Sequence, residues 1–216
     1  MSLIREHYTN REEWLANRKY IGGSEVAAAL GLSPFMTNVE LWEYKTGVRQ
    51  PKDLSGNAAV EYGVRMEPVL RALYAAEHPE MIVEHYPFDI LRQDNIPYLG
   101  VTLDGELTER STGRKGILEI KAVQATSRIV WEKWRNKVPT HYFCQALSQM
   151  LATGWHFVDL LAYFRKLDGD GEVRCYRFER EEQEPSIKWI DTGLSTYWNK
   201  YIVTGIRPPM ILPDIL

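Results

Sequence analysis

Cysteine is scarce in this chain. Only Cys144 and Cys175 occur in 216 residues, and they form no Cys-x-x-Cys pair. A zinc ribbon or an iron–sulfur cluster is therefore not supported, and both thiols are expected to be reduced in a cytoplasmic setting. Long apolar runs are absent too, so no segment reads as a membrane span. The opening residues, Met1-Ser2-Leu3-Ile4-Arg5-Glu6-His7, carry no apolar signal core, which argues against secretion. An excess of positive charge is missing as well. The formal net charge is −3, unlike that of a passive nucleic-acid coat protein. No internal repeat or low-complexity tract occurs. What remains is an ordinary globular composition, 44% hydrophobic and 25% charged, in a chain long enough for one domain with a sizeable core.

The first half of the chain reads as helical. Thr9-Asn10-Arg11-Glu12 is a capping-box pattern ahead of Trp14, Leu15 and Arg18. Ile21-Gly22-Gly23 breaks that helix, Ser24 caps a short one, and Gly31 ends it. Thr37-Asn38-Val39-Glu40 begins another helix, which Gly47 stops. Residues 48–56 read as a loop. A longer helix is expected from about Ala58 to Glu77, with Val60, Val64, Val69, Leu70 and Leu73 as its apolar stripe and Pro68 demanding a kink or an N-terminal position.

Strand-like runs follow at Met81–Leu91, Tyr98–Leu103, Ile117–Ala122 and Val158–Arg165. A Gly/Asp turn at 166–172 leads into a last strand at Val173–Phe178. Two helices lie between the third and fourth runs, one carrying Ile129, Val130, Trp131 and Trp134, the other spanning about Tyr142–Ala152. Pro185–Val203 reads as a final amphipathic helix, and Pro208, Pro209 and Pro213 mark an extended tail. Helices flanking a small mixed sheet make an α/β (α+β) fold.

Three acids and a lysine carry the chemistry. Glu67 lies in Tyr62-Gly63-Val64-Arg65-Met66-Glu67-Pro68, and Asp104 in Gly100-Val101-Thr102-Leu103-Asp104-Gly105. Glu119 and Lys121 lie in Gly116-Ile117-Leu118-Glu119-Ile120-Lys121. If the strands ending at Asp104 and containing Glu119 pair as a hairpin, the two carboxylates converge. Glu119 and Lys121, two apart, share one face of a half-buried strand, while Leu118 and Ile120 face the core.

An acid, a distant Asp and then Glu-x-Lys suits phosphodiester hydrolysis by hard divalent cations, two of which can sit about 4 Å apart. Lys121 is placed to orient the attacking water, to take its proton if its pKa is lowered, or to stabilise the transition state. The Ile120 carbonyl is a further candidate ligand. Each residue also has a plain reading: Asp104-Gly105 as a turn, Glu67 with Arg71 as a surface helical ion pair, Glu-x-Lys as a solvated pair. From Arg110 to Lys137 eight Lys or Arg residues face only Glu119 and Glu132, which suggests a phosphate-tracking surface.

Taken together, these motifs resemble the lambda exonuclease and YqaJ-type viral recombinase family of the PD-(D/E)xK nuclease superfamily. The resemblance spans roughly 10–165. It includes Ile21-Gly22-Gly23-Ser24-Glu25-Val26-Ala27-Ala28-Ala29-Leu30-Gly31 and His141-Tyr142-Phe143-Cys144-Gln145-Ala146-Leu147-Ser148-Gln149-Met150. It implies a restriction-endonuclease-like core, with 1–216 as a single nuclease domain and residues 179–216 as a C-terminal helix and tail.

The implied activity is 5′→3′ degradation of one strand of linear double-stranded DNA, leaving 3′ overhangs for a phage single-strand annealing protein. A homotrimeric ring in the host bacterial cytoplasm is implied as well. The resemblance assigns Asp104, Glu119 and the Ile120 carbonyl to Mg2+, with Mn2+ able to replace it. It assigns Lys121 to the attacking water and Glu67 to support of the metal site. Arg18, Ser24, Thr102 and Gln145 become 5′-phosphate and DNA contacts. Leu103 stands where the family has proline, and the Arg18–Ser24 spacing is one residue shorter than the family pattern, which keeps Lys19 open as the phosphate contact. Gln145 and Gln149 share a helix face and also suit a purely structural role. His141 is read as structural or peripheral, and Trp131 and Trp134 as core or interface residues. An endonuclease of the same superfamily and a non-catalytic DNA-binding scaffold are the competing readings.

Overall fold

A computed structural model describes residues 2–53, 56–125, 127–166 and 170–212. Its centre is a five-stranded sheet in the order β2-β4-β5-β6-β7, formed by Met81–Glu84, Gly105–Glu109, Lys115–Gln124, Phe157–Arg165 and Gly171–Glu179. Only β5 and β6 are parallel. A parallel pair needs a crossover. Here it contains α5 (Arg128–Lys133) and α6 (Thr140–Thr153), the latter ended by Gly154 in the left-handed region at φ 73°. A separate antiparallel pair joins β1 (Leu3–His7) to β3 (Asp89–Gln93).

The sheet is covered on both faces. On one face, Leu118 and Ile120 of β5 and Phe157 and Leu161 of β6 pack with Leu70 and Tyr74 of α4 (Ala58–Glu77). On the other, Ile117 and Val158 join Leu147 and Met150 of α6. Around them lie α2 (Val26–Ala29) and Ile187, Ile190 and Leu194 of α7 (Arg180–Tyr197). β5 is therefore buried on both faces, not half-buried as its alternation suggested. Trp134 is buried with Phe164 in a third apolar cluster, and Trp131 stacks on Phe164, so both tryptophans serve packing.

Several local expectations shift. α1 (Arg11–Ala16) is capped by Asn10, whose side chain accepts from Glu13 N–H, rather than by Thr9. Gly22, not Ser24, caps the 3-10 turn Gly23–Glu25 that precedes α2. α3 (Asn38–Lys45) has the Thr37–Glu40 capping box. Of the expected stripe, Leu70 is buried and Leu73 partly buried, while Val60, Val64 and Val69 are exposed and Tyr74 is buried in addition. Pro68 lies inside α4, where the carbonyl it frees belongs to the exposed Val64. Met81–Leu91 divides between two sheets, and Tyr98–Leu103 makes isolated bridges only. α7 starts earlier than expected and continues as a π turn at Trp198–Ile202. Parts of the expected 48–56 loop and 166–172 turn, and Pro213, lie outside the described residues.

α4 is tied to the sheet by a buried polar link as well as by apolar packing. Asp159 of β6 is 3% exposed and accepts two bonds from Arg177 of β7, at 2.7 and 2.8 Å, and one from the Tyr74 hydroxyl. A hydrogen bond to a charged group contributes about 1.5–3 kcal/mol. Tyr74→Phe is expected to lower unfolding stability by that amount with an unchanged m-value in urea. A loss below about 0.5 kcal/mol would show that the hydroxyl is dispensable.

Candidate active site

Glu119 is the centre of the site. It lies mid-strand in β5, is only 1% exposed, and faces α6. Gln145 Nε2 donates to its Oε1 at 2.7 Å, Gln149 Nε2 donates to its Oε2 at 2.5 Å, and Lys121 Nζ lies 2.5 Å from Oε1. Lys121 also donates to Gln145 Oε1 at 3.0 Å and sits 4.9 Å from the centre of the Tyr142 ring. The two glutamines, four apart on one face of α6, thus both hold Glu119.

Asp104 reaches the same place by strand register. It immediately precedes β4, whose first residue Gly105 pairs with Leu118, so the hairpin is made by the strand that follows Asp104 and not by the expected strand that ends there. Its Oδ2 accepts from Ile120 N–H at 2.7 Å. Glu67 approaches from α4. Arg71 binds the Glu67 carboxylate and also donates to the Asp104 carbonyl. The Glu67–Arg71 pair therefore forms, but it tethers α4 to the start of β4 and is not a surface pair. That second role of Arg71 was not legible in the i,i+4 spacing.

Charge crowding sets the proton affinities. Burial pushes the Asp104 carboxyl well above the usual carboxylate range; nearby Glu119 and Glu67 add to this, and Lys121 opposes it. Burial also raises Glu67 against the pull of Arg71. For Lys121, burial alone would lower the pKa, but Glu119 and Asp104 outweigh it, and the ammonium is held charged. That direction disfavours a lysine that takes a proton from water and favours one that acts as a cation.

Among the described residues, no three acidic, His or Cys side chains already converge as a metal cage. The acids are instead engaged by Lys121, Gln145, Gln149, Arg71 and the Ile120 N–H. The donor set still fits a hard divalent cation: three carboxylates share one region, and burial, with the neighbouring acids adding to it, makes two of them resist ionisation. Asp104, Glu119 and the backbone at Ile120 are the residues placed to hold it.

Glu67 and Asp104 open onto a cavity of about 580 Å³ whose lining also includes Gln145, Arg11, Arg18, Ser24 and Thr102. Its size suits a small-molecule or nucleotide site. Arg18 stacks 4.7 Å over Trp14, and no carboxylate among the described residues lies in salt-bridge range of it. Lys19 is exposed and does not line the cavity. The loop bearing Ser24 is pinned, because Glu25 accepts from Gly22 N–H at 2.7 Å and pairs with Lys45 at 2.6 Å. A Cβ at Gly22 would come within 3.0 Å of Arg18 Nη2, so the glycine leaves room for the guanidinium.

Thr102 lines the same cavity, with its hydroxyl already engaged. Its hydroxyl donates to the Asp89 carbonyl at 2.9 Å and accepts from Trp14 Nε1 at 3.0 Å. With its one hydrogen committed, it positions Trp14. His141 lies outside the cavity, packed against Phe35 and Tyr142. His85 does line it and was not anticipated. Its Nδ1 is buried without a partner, and burial followed by nearby Arg71 lowers its pKa. Phe88 was also missed. Its ring lines the cavity beside Trp14, and its φ is 67°, a conformation that costs a non-glycine residue about 1–3 kcal/mol.

Residues 13–156 match the YqaJ-like viral recombinase domain. The chain belongs to that family. It is 27% identical over 209 residues to the uncharacterized protein YqaJ of Bacillus subtilis (strain 168), covering 96% of this chain and 61% of that protein. Its fold is similar to that of an alkaline exonuclease, LHK-Exo, from Laribacter hongkongensis. The TM-score is 0.68 with 25% identity, over 90% of this chain and 94% of the other. The same enzyme solved in complex with dAMP gives 0.69 and 26% over the same shares. A phage-related exonuclease from Haemophilus somnus 129PT shares the fold at TM-score 0.58 and 12% identity, over 87% of this chain and 96% of that one. The expected PD-(D/E)xK-type architecture, a mixed sheet flanked by helices, is the one observed.

The raised Asp104 pKa has a sign that can be tested in metal-free protein. Between the ordinary carboxylate range and the raised value, the folded state binds more protons than the unfolded state, so stability falls as pH rises through that window. Asp104→Asn keeps an acceptor for Ile120 N–H and removes the charge. At pH 8 in chelator it is expected to unfold about 0.5–2 kcal/mol later than the parent protein and to lose that part of the pH slope. Equal or lower stability in chemical denaturation would show that the acids are not in conflict.

Proposed function

We propose that this protein is a metal-dependent exonuclease that degrades the 5′-ended strand of linear double-stranded DNA in the 5′→3′ direction. The observation that carries this reading is one cavity lined by two kinds of group. Glu67 and Asp104 line it, backed by Glu119 and Lys121, and so do Arg18 and Ser24. An endonuclease needs the acids. An Arg that pairs with no acid among the described residues, and a hydroxyl lining the same cavity as those acids, suit a terminal phosphate. The likeness to an alkaline exonuclease that was also solved with a deoxynucleoside monophosphate supports the same assignment.

Asp104, Glu119 and the Ile120 carbonyl hold Mg2+, with two ions and with Mn2+ as a substitute, and Glu67 supports the site from α4. When bound, the metal supplies charge stabilisation and an activated water. The chain's own contribution is orientation and charge. Gln145 and Gln149 fix the Glu119 carboxylate. Lys121, held as an ammonium, orients the attacking water and stabilises negative charge on the phosphoryl oxygens. Arg18 and Ser24 grip the 5′-phosphate and set which bond reaches the acids, Gln145 contacts DNA from α6, and Thr102 acts through Trp14.

We take residues 1–216 as one nuclease domain, with a family-like core at about 10–165 and a C-terminal helix and tail at 179–216. The setting is a phage or prophage recombination system in the bacterial cytoplasm. The protein works as a homotrimer and passes 3′ overhangs to a single-strand annealing protein. Among the described residues no helix is long and apolar enough to cross a membrane.

Digestion of three duplexes tests the reading: linear with 5′-phosphate, linear with 5′-hydroxyl, and covalently closed circular. The phosphorylated linear strand is expected to be lost fastest with Mg2+, the circle to survive, and Lys121→Ala to be slower by about 10²–10⁴-fold. Arg18→Ala is expected to erase the preference for the phosphate. Cutting of the circle would favour an endonuclease, and binding without cutting in Mg2+ or Mn2+ would favour a scaffold.

A further inference from the structure

Phe88 occupies a position that its residue type does not suit. The turn Tyr86-Pro87-Phe88-Asp89 is closed by Asp89 N–H donating to the Tyr86 carbonyl at 3.5 Å. With proline second and a positive φ third, it has the pattern of a type II turn, whose third position favours glycine or asparagine. A phenylalanine there is a backbone outlier, and such outliers gather at functional sites. Core burial does not compensate for it, because Phe88 is only partly buried and belongs to none of the three apolar clusters. Its ring instead lines the cavity that holds Arg18, Glu67 and Asp104.

Its neighbour there is Trp14. The two rings are 6.5 Å apart and tilted by 53°. Trp14 is fixed by its hydrogen bond to Thr102, and Arg18 stacks over it. Along this wall the chemistry runs from a guanidinium, through an indole, to the phenyl ring. That sequence matches a nucleotide, which presents a phosphate at one end and an aromatic base at the other. Aromatic side chains stack on any base, so the contact needs no sequence preference.

We propose that the Phe88 ring is the contact for the base of the terminal nucleotide whose 5′-phosphate Arg18 holds. This rests on the exonuclease reading above and makes Phe88 a specificity-determining contact. It separates a strand end from internal DNA, because only at an end is a base free to leave the stack and meet the ring.

The test uses a duplex with a 5′-phosphate and 2-aminopurine as the 5′-terminal base, titrated with the full-length protein in Ca2+ in place of Mg2+. Parent protein is expected to change the fluorescence of the terminal base strongly. Phe88→Gly, which suits the positive φ, is expected to melt at the same or a higher temperature. It should lose most of that fluorescence change and bind about 5- to 30-fold more weakly. In Mg2+ the same variant should raise KM by a similar factor, with kcat changed less than about threefold. Phe88→Tyr should restore both signals. Phe88→Gly that binds and reports like the parent would overturn the inference and leave the exonuclease reading intact. Parent protein that shows the Phe88-dependent signal but degrades no DNA would support the contact and sink the exonuclease reading. No binding by the parent would overturn both.

Discussion

The structure depends on a carboxylate placed in the middle of a sheet. Glu119 is almost fully enclosed between β5 and α6, where an ionised acid without partners would cost several kcal/mol. Three groups answer it: the Lys121 ammonium two residues along the same strand, and the amides of Gln145 and Gln149 one turn apart on α6. α6 belongs to the crossover that lets β5 and β6 run parallel. The helix required by the topology is therefore also the one that neutralises the strand's central charge. Fold and site cannot be separated here, because moving α6 would expose or orphan Glu119.

That arrangement leaves a conflict. Burial, and after it the nearness of Glu119, makes Asp104 and Glu67 take protons more readily than usual, while Lys121 is held as a cation. One ammonium lies among three carboxylates, of which Glu67 is also bound by Arg71. Lys121 occupies the electrostatic place that a divalent ion would take, but as a point charge on a flexible stem it cannot satisfy them all. The bonds to Gln145, Gln149, Arg71 and the Ile120 N–H fix each carboxylate separately without removing the repulsion. A site of this kind holds its strain for a ligand of higher charge, which is the physical basis for assigning it to metal-assisted hydrolysis rather than to structure alone.

The centre of this design was legible in the sequence because it follows strand geometry. The period of two put Glu119 and Lys121 on one face, and the spacing from Asp104 to Glu119 allowed the hairpin that Gly105↔Leu118 pairing provides. Spacing of four on α6 likewise brought Gln145 and Gln149 together. What was not legible depended on contacts between distant segments. Val60, Val64 and Val69 have the apolar character of a buried stripe, yet of the expected residues only Leu70 is fully buried, and α4 adds Tyr74, whose hydroxyl donates to Asp159. β1 has no strong alternation and exists through its pairing with β3. β5 looked half-buried because Glu119 is charged, and periodicity cannot show that two amides will cover a charge. Nor could spacing show that Asp89 and Trp14 engage the Thr102 hydroxyl.

Phe88 escaped notice for a different reason. Pro87-Phe88-Asp89 carries no glycine or asparagine to announce a positive φ, so the sequence hides the turn that places the ring. A local rule broken without a gain in core packing points to selection for something else. The wall of the cavity supplies that gain: Arg18, Trp14 and Phe88 line it in succession. Nucleases that share a Glu-x-Lys strand share the same bond-breaking apparatus, and the strand alone cannot say whether DNA enters by its end or its side. The distinction must come from groups that recognise what only an end possesses, a terminal phosphate and an unstacked base. In this chain the guanidinium and the strained aromatic line one cavity with two of the acids, and on the exonuclease reading proposed above they are the groups that would set the polarity of digestion.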